Sequence, residues 1–194
     1  MYNSQIVFIF AKRMSMRFED VLSNGKLWST VYDGEEENVL SQLLGNWLDP
    51  VYLRGFFETN IADLESYFHI SNVDLAIFDT VKDATTLACL ILDLKPEIPL
   101  ESLFRPLENS RLGEMILSKE KAKGKEVYGH ASWLRIYAIK LDKDVFVITG
   151  GAIKLTRTMQ ERSHTQRELE RLERVRNFLL EEGAVDVDGI KTLS

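Results

Sequence analysis

Arg135 stands between Trp133 and Tyr137 in the segment WLRIYAIKL, and Lys154 and Arg157 follow the glycine pair Gly150-Gly151 downstream. Alternate residues of an extended chain leave the same face, so the spacing predicts one guanidinium between two aromatic rings. A guanidinium forks onto phosphate oxygens, and aromatic rings accept stacked bases. The chemistry this points to is RNA recognition, with Trp133 and Tyr137 as stacking surfaces. Lys125, in a lysine-rich loop ahead of the strand, adds a cation. His130 precedes Arg135 by five residues, and histidine, whose unperturbed pKa as a residue type lies near neutrality, suits proton transfer; His164 is its rival. Each residue also has an ordinary alternative: Arg135 capping an aromatic pair, Lys154 and Arg157 solvated, either histidine bonded to a backbone carbonyl.

The elements that must position these groups are legible in part. WLRIYAIKL and VFVIT read as a hairpin about Asp142-Lys143-Asp144, running into Gly150-Gly151, where the glycines permit a bulge or a close backbone approach. Upstream, KLWSTVYDG reads as a strand ending in a turn. Val39, Leu40, Leu43, Leu44 and Trp47 mark an amphipathic helix. Asp49-Pro50 has the form of an N-cap with proline at the first helical position, and Asn60 restarts the pattern. Ser71 with Asp74 resembles a cap for a longer helix to about Leu94. Pro96 and Pro99 end that element, ESLFRPL allows one more helical turn, and Lys119, Lys121, Lys123 and Lys125 are read as a mobile loop. A last helix is predicted from Ser163, in a capping box with Gln166, to Gly183, burying Leu169, Leu172, Val175 and Leu179 and exposing Arg167, Arg171 and Arg174.

The chain has 194 residues, 45% hydrophobic and 28% charged, with a formal net charge of −6, which fits one soluble domain over 1–194. The acidic balance argues against a general nucleic-acid binder, but the sign is uneven. Residues 1–100 carry 7 Lys+Arg against 15 Asp+Glu, whereas residues 105–176 carry 16 against 10. A local cationic patch can hold one phosphate-bearing ligand while non-specific binding stays weak; scattered solvated cations fit the same counts. The apolar run IVFIFA lacks a basic lead and a cleavage site, and no run approaches the roughly 20 residues of a membrane span. No membrane association and a cytoplasmic location are expected. Cys89 is the only cysteine and is read as structural. The three histidines are dozens of residues apart and no metal-ligand spacing occurs, so neither metal nor cofactor is expected. GGAIKLT lacks the first glycine and the Lys-Thr pair of a phosphate loop.

GAIKLTRT, with WLRIYAI before it and a charged helix after it, resembles the RelE/HigB-like toxin superfamily of type II toxin–antitoxin systems. The resemblance is best over 104–178, with FRPLE as the lead-in, and KLWSTVYDG is similar to the family's opening strand. It implies an α+β fold, an antiparallel sheet packed against helices, here with extra helices over about 35–94 inserted after the first strand. It further implies a metal-independent messenger-RNA endoribonuclease that inhibits translation, often on the ribosome, by attack of a ribose 2′-hydroxyl on the adjacent phosphate. A cognate antitoxin protein is the implied partner. By this resemblance Arg135 matches the family's strand arginine and stabilises the phosphate, Lys154 and Arg157 match its basic loop, and Thr149 stands where relatives carry histidine. The same face without an aligned proton acceptor would make a catalytically silent RNA- or protein-binding module.

Overall fold

A computed structural model describes residues 15–95, 97–107, 118–123 and 130–194. Strands β1 (Met16–Asp20), β2 (Leu27–Tyr32), β3 (Arg105–Pro106), β4 (Ser118–Lys123), β5 (Leu134–Asp142) and β6 (Val145–Ile153) form one sheet in the order β1-β2-β6-β5-β4-β3. Helices α1 (Val39–Leu48), α2 (Pro50–Thr59), α3 (Ile61–Phe68) and α4 (Val73–Leu92) follow β2, and α5 (Ser163–Glu181) and α6 (Val187–Lys191) follow β6. The result is a mixed sheet with helices on both faces, of the α+β kind.

Local chemistry explains the helix starts. Asn38 accepts the N–H of Ser41, Asp49 that of Val51 ahead of Pro50, and Asn72 that of Leu75, each satisfying a donor that the first helical turn leaves open. The long helix is therefore capped by Asn72 rather than by Ser71. No side chain caps α5, so the Ser163–Gln166 box does not form; Gln166 instead reaches Glu170. Gly183, at φ 69°, ends that helix in the left-handed conformation that glycine adopts without strain.

Two cores flank the sheet. Trp47, Leu53, Phe57, Leu87, Trp133, Ile136 and Phe146 pack between α1–α4 and one face. Phe18, Trp28, Tyr137, Val147, Leu172, Val175 and Leu179 pack between the other face and α5–α6. Of the predicted α5 stripe, Leu172, Val175 and Leu179 are buried and Leu169 is half-buried, while Arg167, Arg171 and Arg174 are exposed.

Several expectations are corrected. The sheet is not wholly antiparallel, because β2 and β6 pair in parallel; parallel neighbours need a crossover, here made by α1–α4 and the β3–β5 strands. KLWSTVYDG is the second described strand, after MRFED, so the helical insertion follows β2. The lysine-rich stretch through Lys123 is strand β4, paired with β5, not a loop; Lys125 and IVFIFA lie outside the described residues. β6 continues through Gly150-Gly151 to Ile153. A register shift sets Tyr137 against Gly150 and Ala138 against Ile148, leaving Thr149 as the extra residue of a bulge. Finally, Trp133 and Tyr137 do not share a face. β5 begins only at Leu134, so Trp133 is outside the alternation and packs with α2–α4, while Tyr137 packs in the core with α5; each is 1% exposed.

Among the described residues, no helix is long and apolar enough to cross a membrane, and no group of three or more metal-binding side chains could hold an ion.

Candidate functional site

The residues singled out by sequence fall into two groups. Arg135 is half-buried and donates from one guanidinium nitrogen to the carbonyls of Ser132 and Leu134, at 2.6 Å each. Burial draws its pKa down, against the pull of Tyr137 and Asp83. His130 stacks on Trp133 at 4.3 Å and faces Asp79 at 3.3 Å. Both gather at the α4–β5 contact, where Ser132 donates to buried Asp83 and the Trp133 ring N–H donates to Thr80. Burial raises the Asp83 pKa, and Ser132, Arg135 and His130 oppose it. One oxygen each of Asp79 and Asp83 has no partner among the described residues, an uncommon cost for a core. Trp133 and Tyr137, sealed in separate cores, present no ring for a base to stack on.

Lys154 and Arg157 belong to the second group. Lys154 donates to the carbonyls of Thr156 and Arg157 at 2.5 Å. Glu161 lies beside it, fixed by the Thr158 backbone N–H and hydroxyl and by the Tyr67 hydroxyl. Those bonds, backbone first, hold Glu161 below the ordinary carboxylate pKa. The segment after β6 is thus braced by its own side chains rather than fully extended into solvent.

A different set of side chains surrounds open space. Between α1–α2 and the first half of α5, over a floor of Gly151, Ala152 and Ile153, lies a cleft of about 700 Å³. Its α5 wall carries His164, Arg167, Glu168 and Arg171, with Arg162 at the mouth; its α2 wall carries Tyr52, Gly55, Phe56 and Thr59. Both stripes follow the three-and-four spacing of one helix face.

Glu168 is the centre of this arrangement. It is only 8% exposed, accepts the Gly151 N–H at 3.1 Å, and pairs with Arg171 at 3.1 Å. Burial raises its pKa, opposed by Arg171, the Gly151 N–H and Arg167. Gly150 makes room for it, since a Cβ there would lie 1.9 Å from the Glu168 Oε2, while a Cβ at Gly151 would meet Leu43 at 2.6 Å and the Arg135 carbonyl oxygen at 2.7 Å. Gly150-Gly151 therefore supplies the close approaches, next to the bulge at Thr149. The Arg171 guanidinium also lies 5.2 Å above the Tyr32 ring, within cation–π range. Burial, then the Glu168 charge, raises the pKa of Tyr52.

His164 directs Nε2 to the Ile153 carbonyl at 3.1 Å and lies edge-on to Phe56. A carbonyl can only accept, so Nε2 carries the hydrogen and, in the neutral ring, Nδ1 is the acceptor. Arg162 forks onto Asp63 of α3, tying the start of α5 to the helical layer. Arg167 makes no ion pair among the described residues and spends one donor on the Ser163 carbonyl. Three guanidiniums, an imidazole and a buried carboxylate thus meet at one water-accessible concavity, beside the uncapped first turn of α5, where backbone N–H groups favour anions.

Glu168 is a site residue that the sequence reading did not single out. The available signal was its phase: position 168 falls on the stripe of Leu172, Val175 and Leu179, so a carboxylate there is directed inward. No family model, no curated protein and no solved structure matches this chain.

Proposed function

We propose that the chain is an RNA-binding module that takes phosphate groups in the cleft between α2 and α5. The observation that carries this reading is the convergence of Arg167, Arg171 and His164 on one open concavity in a protein whose net charge is negative. Guanidiniums fork onto phosphate oxygens, and the acidic remainder disfavours indiscriminate polyanion binding. Glu168 keeps Arg171 aimed before any ligand arrives. Fluorescence anisotropy of a labelled single-stranded RNA tests it: binding should weaken as salt rises, and Arg167→Ala with Arg171→Ala should weaken it about tenfold or more, since charge-assisted bonds are among the stronger polar contacts. Binding unchanged by the double substitution would refute the cleft as the site.

A second reading, the RelE/HigB-like endoribonuclease toxin with an antitoxin partner, is favoured by one further observation. His164 and Glu168, one helical turn apart, give the cleft two proton-transfer groups, and burial moves Glu168 toward neutrality. In that reading Glu168 takes the 2′-hydroxyl proton, His164 protonates the leaving 5′-oxygen, and the products are a 2′,3′-cyclic phosphate and a 5′-hydroxyl. Incubation with messenger RNA in the presence of a chelator should then give such ends, lost in Glu168→Gln. Intact RNA retained in a salt-sensitive complex leaves the binding module as the account. Arg135→Ala separates this site from the one read in the sequence: it should spare cleavage in the cleft and abolish cleavage at the β5 arginine.

A further inference from the structure

We infer that the cleft accepts a nucleobase-bearing unit, its ring in a notch over Gly55 beside Tyr52 and its phosphate on Arg167 and Arg171; this deepens the RNA reading and rests on it. Gly55 lies inside α2, where glycine is a poorer helix former than any residue except proline. Among the described residues nothing requires it: its φ is not in the left-handed region, and a Cβ built there would meet no atom of them within 4 Å. Its missing side chain instead opens the cleft wall between Tyr52 and Thr59, both on the same helix face.

Tyr52 lines the cleft and is 42% exposed, so a large aromatic ring stands at the cleft wall within reach of a ligand. A planar base stacks on such a ring without needing a particular sequence. Asn46 and Asn60 line the same cleft; the Asn60 amide nitrogen donates to the Phe56 carbonyl at 2.8 Å, which leaves its side-chain oxygen as an acceptor for a base edge. The volume of about 700 Å³ matches the range of small-molecule pockets, roughly 300–1,000 Å³, which suits one or two nucleotides rather than a duplex. Gly45 of α1 also has open surroundings but does not line the cleft, so it serves as a control.

The test is calorimetric titration of the full chain with adenosine 3′-monophosphate and, separately, inorganic phosphate. The nucleotide should bind about tenfold tighter than phosphate, the gain expected from one stacked base. Gly55→Leu should erase that advantage and leave phosphate affinity in place, and Gly45→Leu should change neither. Tyr52→Ala should also reduce nucleotide but not phosphate affinity, which keeps the test open if leucine at position 55 disturbs α2. Equal binding of nucleotide and phosphate by the unaltered chain overturns the notch while the cationic cleft stands. A nucleotide advantage that survives both Gly55→Leu and Tyr52→Ala overturns it too, by placing the base elsewhere. Binding of neither probe removes the cleft reading itself.

Discussion

At Glu168 a carboxylate on a charged helix is turned inward, onto the backbone N–H of Gly151, and Gly150 clears its path. Gly150→Ala must push the carboxylate off the Gly151 N–H, leaving a buried donor unpaired, at a cost of about 1–3 kcal/mol. In a Glu168→Ala background the same change should cost much less, and urea melts of the four proteins measure the coupling. Gly151→Ala should be worse than Gly150→Ala, because its Cβ meets a backbone carbonyl as well as Leu43. Titration gives a second check. Burial raises the folded-state pKa of Glu168, so between its ordinary value and the raised one the folded state holds more protons than the unfolded. Stability contributed by the protonated form is therefore lost as pH rises through that window. Thermal melts should show Glu168→Gln gaining on the parent protein as pH rises above the ordinary glutamate pKa; a gain that shrinks as pH rises would show that the ion pair with Arg171 outweighs burial.

The elements divide by how local their causes are. The Asp49-Pro50 start of α2, the Asn60 restart and the Leu172–Val175–Leu179 stripe were readable, because a cap or a 3.6-residue period is written within a few positions. The common face expected for Trp133, Arg135 and Tyr137 does not form: the alternation holds only from Leu134 onward, and sequence does not mark where pairing with β6 begins. Strand β4 escaped because its lysines resemble a solvated loop, and β1 because five residues with two apolar positions give a faint period. On α5, Leu172→Ala should destabilise by about 2–5 kcal/mol as a truncation in a closed core, while Arg174→Ala on the exposed face should cost under about 1 kcal/mol. Chemical denaturation reads both, and the reverse order would mean that the helix buries its other side.

For the whole molecule, the helical layer inserted between β2 and the later strands is what creates the cleft. Tyr52 and Arg167 are more than a hundred residues apart in sequence and meet only because α1–α4 and α5 approach the sheet at the end where Gly151 lies. No spacing rule joins such residues, so the helical insertion was legible while the concavity was not. The charge asymmetry was legible and has a structural counterpart: the cations of the α5 wall line the cleft, and the acidic first half supplies Asp63, which secures Arg162. The most direct measurement is a photo-crosslinking map with a short RNA carrying 4-thiouridine, read by mass spectrometry of the digested complex. Crosslinks should concentrate in the α2 peptide containing Tyr52 and Phe56 and in the α5 peptide containing His164. Crosslinks confined to peptides of β4 and β5, with none at the cleft, would contradict the assignment of the cleft as the RNA site.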